Sequence, residues 1–223
     1  MAGLVASLAA VALLAAPAAA SPSSAQDRAL AQSAVLQPSD FPAGWTTGPG
    51  TDSAKADRIR GGIADCRRYQ RLVTTLRRQP EASANFLQRS ASVSSTVFVL
   101  SSARAAQAAF TQLTSPGVVR CLQRFLGVVV TQSIFIRGAP ARLQGVSGVP
   151  ATVPQAGDQT TAFQFVVTLA AAGLTAPVYE QVEVARVGRG IAEFSFESPS
   201  MPVPPDLRDA LVNAAVGRLA SAR

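Results

Sequence analysis

Histidine is absent from the 223-residue chain, which excludes imidazole general bases, Ser–His–Asp triads and His-ligated metals. Two cysteines are too few for a structural zinc site or an iron–sulfur cluster, so no metal and no cofactor is expected. Lysine occurs once, at Lys55, and the other 19 basic residues are arginine. Combined with heavy alanine usage, that skew reads as genome composition, and the net charge of +7 is discounted as evidence for nucleic-acid binding. What is present is apolar material, 48% of the residues. It suffices for one well-buried core, while the length argues against two full domains.

The N-terminus is read as a secretory signal peptide over residues 1–20. Leu4 to Ala16 is an uncharged apolar run, too short for a membrane span, followed by Pro17 and the small residues Ala18-Ala19-Ala20. Met1-Ala2-Gly3 departs from that pattern in lacking Lys or Arg, which leaves open whether Met1 is the true start. Ser21 stands where a lipid-anchored protein would carry cysteine, so the mature chain is expected to be secreted, with no membrane-spanning segment. In an oxidising compartment Cys66 and Cys121 are expected to pair. Closing a loop of that length stabilises by about 4 kcal/mol in the chain-entropy model.

Residues 21–34 are small and polar and read as a flexible arm, followed by one domain over residues 35–223. Phe41 and Trp45, set among Pro38, Pro42 and Gly44, are expected to pack across the edge of a core. Thr46 to Ala56 reads as loop. Cys66, Tyr69, Leu72, Val73 and Leu76 recur at helical spacing, and Pro80 stops that helix. Val93 to Leu100 reads as a strand, Ser101-Ser102 as the cap of an Ala-rich helix to Leu113, and Val118 to Leu126 as a further helix. Val128 to Arg137 is expected to be a strand and Gly138 to Gly157 a long loop. Thr160–Leu169, Val178–Val187 and Ile191–Glu197 form an antiparallel meander, with Gly188-Arg189-Gly190 as a three-residue turn. That register would put Val182 and Val184 on the face of Phe194 and Phe196. Asp206 to Leu219 closes the chain as a helix. The fold class is α+β, an antiparallel sheet with segregated helices.

These pieces resemble the extracytoplasmic sensor-like domains of actinobacteria: the outer domain of PknH-type receptor kinases and LpqN-like secreted or lipid-anchored proteins. The resemblance rests on Leu36…Asp40-Phe41-Pro42-Ala43-Gly44-Trp45, on Cys66 opening an early helix, and on Val97-Phe98-Val99-Leu100 before an Ala-rich helix. Cys121 and the Val182…Gly188-Arg189-Gly190…Phe194 hairpin complete it. It implies an α/β/α sandwich of the Mog1/PsbP kind and non-catalytic ligand or partner binding at the cell envelope. The chain departs from these relatives in having neither a lipobox cysteine nor a kinase domain.

Lys55 to Arg78 holds eight basic residues against Asp57 and Asp65, nearly the whole net charge. Arg67, Arg71 and Arg78 would lie opposite the apolar helix face, suiting an anionic envelope component or an acidic protein surface. Nucleic acid is disfavoured, because the cluster has no interleaved aromatics and no groove-reading motif. Phe163, Phe165, Phe194 and Phe196 are the candidates for a pocket holding a small or lipidic ligand. A protein partner could engage Phe41–Trp45. The alternative function is a secreted hydrolase. It would use Glu183, Glu193 and Glu197, which the proposed register places on one sheet face at a spacing suited to paired carboxylates.

Overall fold

Alternating burial builds a single antiparallel sheet. Its strands are β1 (Thr46–Thr47), β2 (Glu81–Gln88), β3 (Ala91–Val99), β4 (Ala141–Ala151), β5 (Gln159–Ala171), β6 (Leu174–Val187) and β7 (Gly190–Pro199). They lie in the order β1-β2-β3-β7-β6-β5-β4, each neighbour antiparallel. The structure, a computed structural model, describes residues 24–49, 53–137, 141–171, 173–199 and 201–221. The expected signal peptide lies outside the described residues.

Six helices among the described residues flank the sheet: α1 (Ser24–Ala34), α2 (Ser53–Gly61), α3 (Arg67–Leu76), α4 (Ala103–Leu113), α5 (Pro116–Arg137) and α6 (Pro205–Ser221). On one face α1 and α6 cover Phe86, Val93, Val97, Ala192, Phe194 and Phe196. On the other, α3, α4 and α5 cover Phe98, Leu100, Val184 and Ile191, with Phe163, Phe165 and Val182 under α5. The architecture is the expected α/β/α sandwich around an antiparallel sheet. Among the described residues no helix is long and apolar enough to cross a membrane.

Where the local pattern is strong, sequence and structure agree. All five apolar residues foreseen on the α3 face are buried. Ser102 caps α4, its side chain accepting from the Ala105 amide at 3.1 Å. Phe41 packs between Trp45 and Phe86 with tilted rings, the centroids 5.1 and 4.2 Å away, so the Phe41–Trp45 segment does pack across the edge of a core.

Four expectations are corrected. The arm is not flexible over its described part: residues 24–34 are helical, Ala31 and Ala34 are fully buried, and buried Asp27 pairs with Arg189. Thr46 to Ala56 contains β1 and the start of α2. Val128 to Arg137 is no strand but the second half of α5. Its β-branched residues favour strands, yet propensity is a weak prior. The only break signal, Gly127, costs about 1 kcal/mol in a helix, less than packing against β4 can return. The long loop contains strand β4, whose Pro150 is tolerated because β4 is a sheet edge.

The disulfide is present as expected. Cys66 and Cys121 are bonded with their Cα atoms 4.7 Å apart, joining the start of α3 to the first turns of α5. Both cysteines are fully buried. Replacing both by alanine is expected to cost about 2–5 kcal/mol of unfolding free energy. Urea denaturation of oxidised, reduced and double-alanine protein checks this; equal midpoints would show that the bond adds nothing.

Candidate functional site

A two-residue turn sets which side chains meet. Val187 pairs with Gly190, leaving Gly188 and Arg189 as the turn, and only Gly188 has positive φ, at 56°. The expected three-residue turn was one residue too long, and a one-residue change of register moves a strand's side chains to the other face. Val182 and Val184 therefore oppose Ser195 and Glu193, while Glu183 opposes Phe194. The three carboxylates of the hydrolase alternative do not share a face. Glu183 lies on the α1/α6 side, Glu193 and Glu197 on the other, so that constellation is withdrawn.

The four phenylalanines divide in the same way. Phe163 and Phe165 pack beneath Val119, Leu122 and Leu126 of α5, whereas Phe194 and Phe196 belong to the core under α1 and α6. None exposes more than 6% of its surface. They are two core layers on opposite faces and line no common pocket.

One cavity has no counterpart in the sequence-based expectations. An open groove of about 680 Å³ runs between α5 and the edge strand β4. Its helical wall advances one turn at a time through Arg120, Gln123 and Arg124, Gly127 and Val128, then Thr131 and Gln132. Leu143 and Val146 form the strand wall. Residues three apart on a strand ordinarily point to opposite faces. A bulge between Leu143 and Gly145 changes that, since Leu143 now pairs with Leu169 and Val146 with Val167, both on one face of β5. At Gly148 a side chain is excluded, because a Cβ would lie 2.7 Å from the Phe165 ring.

The groove is polarised. Arg120 and Arg124 stand at one end, where Asp65 also contributes, its carboxylate 3.6 Å from the Arg124 Nε atom. Arg120 is exposed and has no ion-pair partner among the described residues. The middle is apolar, with Val128, Leu143 and Val146 around Gly127. The arrangement can hold an elongated apolar group and anchor an anion at one end through charge-assisted hydrogen bonds. Neither wall is legible in the sequence, where Gly127 reads as the break between a helix and a strand and Gly138 to Gly157 reads as loop.

The arginines singled out from the sequence are where they were expected. Arg67 and Arg71 are exposed on the outer side of α3, and Arg78 is exposed just beyond its end. Asp57 is shared by Arg60 and Arg77.

Buried Glu183 and half-buried Glu180 and Glu193 have their pKa raised, chiefly by desolvation. Glu180 is pushed up to about 7, with the charge of Glu197 adding to the effect, while Ser195 donates to its Oε1 at 3.1 Å. Glu183 also rises to about 7 although Arg208 lies 3.9 Å away, and Gln181 donates to it at 3.4 Å. Glu193 is raised too, under the Tyr69 hydroxyl that donates to it at 3.4 Å. Among the described residues no three potential ligands cluster as a metal site would require.

No family model matches the chain, and no curated protein matches it. Solved structures do. The chain is similar to the extracellular domain of PknH from Mycobacterium tuberculosis, at 8% identity and a TM-score of 0.38, covering 76% of this chain and 92% of that one. It is also similar to LpqN, involved in cell envelope biogenesis of Mycobacterium tuberculosis, at 14% identity and a TM-score of 0.24, covering 81% and 76%. Both are proteins of the group that the sequence pattern resembles.

The raised carboxylates predict an inverted pH response. Glu180 and Glu183 hold their protons more tightly folded than unfolded, so their contribution is complete below about pH 4.5, the ordinary value, and is lost as pH rises through about 7. Glu183→Gln should flatten that decline and raise Tm above the parent's at pH 8. Thermal melts from pH 4.5 to 8 check it; an unchanged slope with a lower Tm would contradict the assignment.

Proposed function

We propose that the chain is a non-catalytic binding module of the bacterial cell envelope, acting outside the cytoplasmic membrane. Its ligand is an elongated amphiphile with an anionic end, held in the groove between α5 and β4. The observation that carries this reading is the polarised groove of about 680 Å³, within the range of small-molecule sites. The alkyl portion lies along Val128, Leu143 and Val146, and the anion meets Arg120 and Arg124. The apolar N-terminal run and the Cys66–Cys121 bond support the compartment, because disulfides persist in oxidising surroundings.

A fluorescent long-chain fatty acid is the direct probe. Combining Arg120→Ala and Arg124→Ala should weaken binding at least tenfold, since a hydrogen bond to a charged group is worth about 1.5–3 kcal/mol. Val128→Glu should do the same by setting a carboxylate in the apolar stretch. Asp65→Asn should tighten binding a fewfold by releasing Arg124 from its partner. Titration by fluorescence checks all three, and unchanged affinity across the set would refute the groove assignment.

A further inference from the structure

The arginines of α3 and those of the groove are far apart in sequence but meet at the disulfide. With Cys66 and Cys121 Cα atoms 4.7 Å apart, the adjacent Arg67 and Arg120 can have Cα atoms no more than about 12 Å apart, given about 3.8 Å per peptide step. Asp65 and Arg124 reach across the same junction. The outer side of α3 thus continues onto the charged end of the groove.

Arg67, Arg68, Arg71 and Arg78 are all exposed, and none has an ion-pair partner among the described residues. Between them the exposed positions of α3 are Thr74 and Thr75, whose hydroxyls turn back to the carbonyls of Gln70 and Arg71 at 2.9 Å. Among the described residues the exposed face of α3 therefore presents guanidinium groups and no aromatic platform. Single-stranded nucleic acid is held by stacking surfaces along a groove, and this face offers neither. A flat array of phosphates needs neither, and guanidinium forks match phosphate oxygens.

We infer that the α3 face docks the protein on an anionic phospholipid surface, with the charged end of the groove next to the bilayer. The purpose of this docking rests on the amphiphile reading of the groove, because a ligand drawn from a membrane must cross the shortest possible stretch of water. The docking itself rests only on the arginines. Near an anionic membrane each contributes about fivefold in affinity at physiological salt, so the four together amount to more than a hundredfold.

The test is cosedimentation of the disulfide-intact full chain with two kinds of vesicle, phosphatidylcholine alone and phosphatidylcholine with about one third phosphatidylglycerol. Docking predicts binding to the second kind only, release at high salt, and at least a hundredfold loss in the combined Arg67→Ala, Arg68→Ala, Arg71→Ala, Arg78→Ala variant. These side chains are exposed, and a urea-unfolding midpoint equal to the parent's reports that the variant is folded. Equal sedimentation of variant and parent, including sedimentation through the apolar N-terminal run, would overturn the inference. Retention on a soluble anionic polysaccharide without vesicle binding would overturn it as well. Vesicle binding that depends on the four arginines, in a protein that takes up no fatty acid, would uphold docking and remove the groove reading instead.

Discussion

The covalent tie between α3 and α5 is the constraint on which the functional surface depends. A 22-residue helix with Gly127 near its middle has no strong reason of its own to lie beside an edge strand, and its apolar face could pack at several angles. Bonding Cys121 to the buried Cys66 fixes the N-terminal end of α5 against α3. Val119, Leu122 and Leu126 then settle on Phe163, Phe165 and Val182. With both contacts made, the remaining length of α5 projects along β4, and the space between them is the groove. Reduction would therefore be felt at the groove as well as in the free energy of unfolding.

The sheet imposes a second condition, parity. Because Gly188 and Arg189 alone make the β6–β7 turn, each residue of β6 is assigned to one layer or the other with no freedom left. Arg189 is itself held, by Asp27 of α1 and by the Leu100 carbonyl at 3.3 Å, so the turn, the first helix and the end of β3 are locked as a unit. That parity sends Glu183 into the α6 layer and keeps Glu180 and Glu197 as a cross-strand pair on the opposite face. Glu183 in one layer and Glu180 in the other each make the fold answer to pH.

The parts of this fold legible in the sequence were those with redundant local signals. The α3 helix has five apolar residues at helical spacing and a terminating proline nearby; α4 has a serine cap; the β6–β7 hairpin has two glycines. The illegible parts lacked such redundancy. Strand β2 is built from Glu81, alanines, Ser83, Asn85 and a single buried aromatic, Phe86, and its hairpin to β3 turns on Arg89, a non-glycine residue at φ 54°. Neither feature is a strand or turn signal. The α1 helix is short and polar and is ordered by burial of Ala31, Ala34, Val35 and Leu36 against the sheet, a tertiary effect that no local window contains. The groove inherited both kinds of silence. Its helical wall looked like a strand, and its other wall depends on a bulge that only pairing with β5 reveals.

The charge pattern is the last step. An arginine-rich composition explains why so many guanidinium groups are present, but it does not explain which of them are left open. Around α6 and the β6–β7 turn four arginines are committed: Arg186 to Asp158, Arg189 to Asp27, Arg208 to Asp209 and Arg218 to Asp40, the last also donating to the Val35 carbonyl. Those bonds anchor helices and turns. Arg28, Arg58, Arg89, Arg104 and Arg142 are exposed at other positions. Among the described residues, open arginines gather along α3, where Asp57 is already occupied by two partners and Asp65 faces Arg124. Like charges held close together raise the energy of the isolated protein by mutual repulsion. An anionic surface relieves that repulsion on contact, and it does so at the end of the groove where Arg120 is also waiting for a counter-charge.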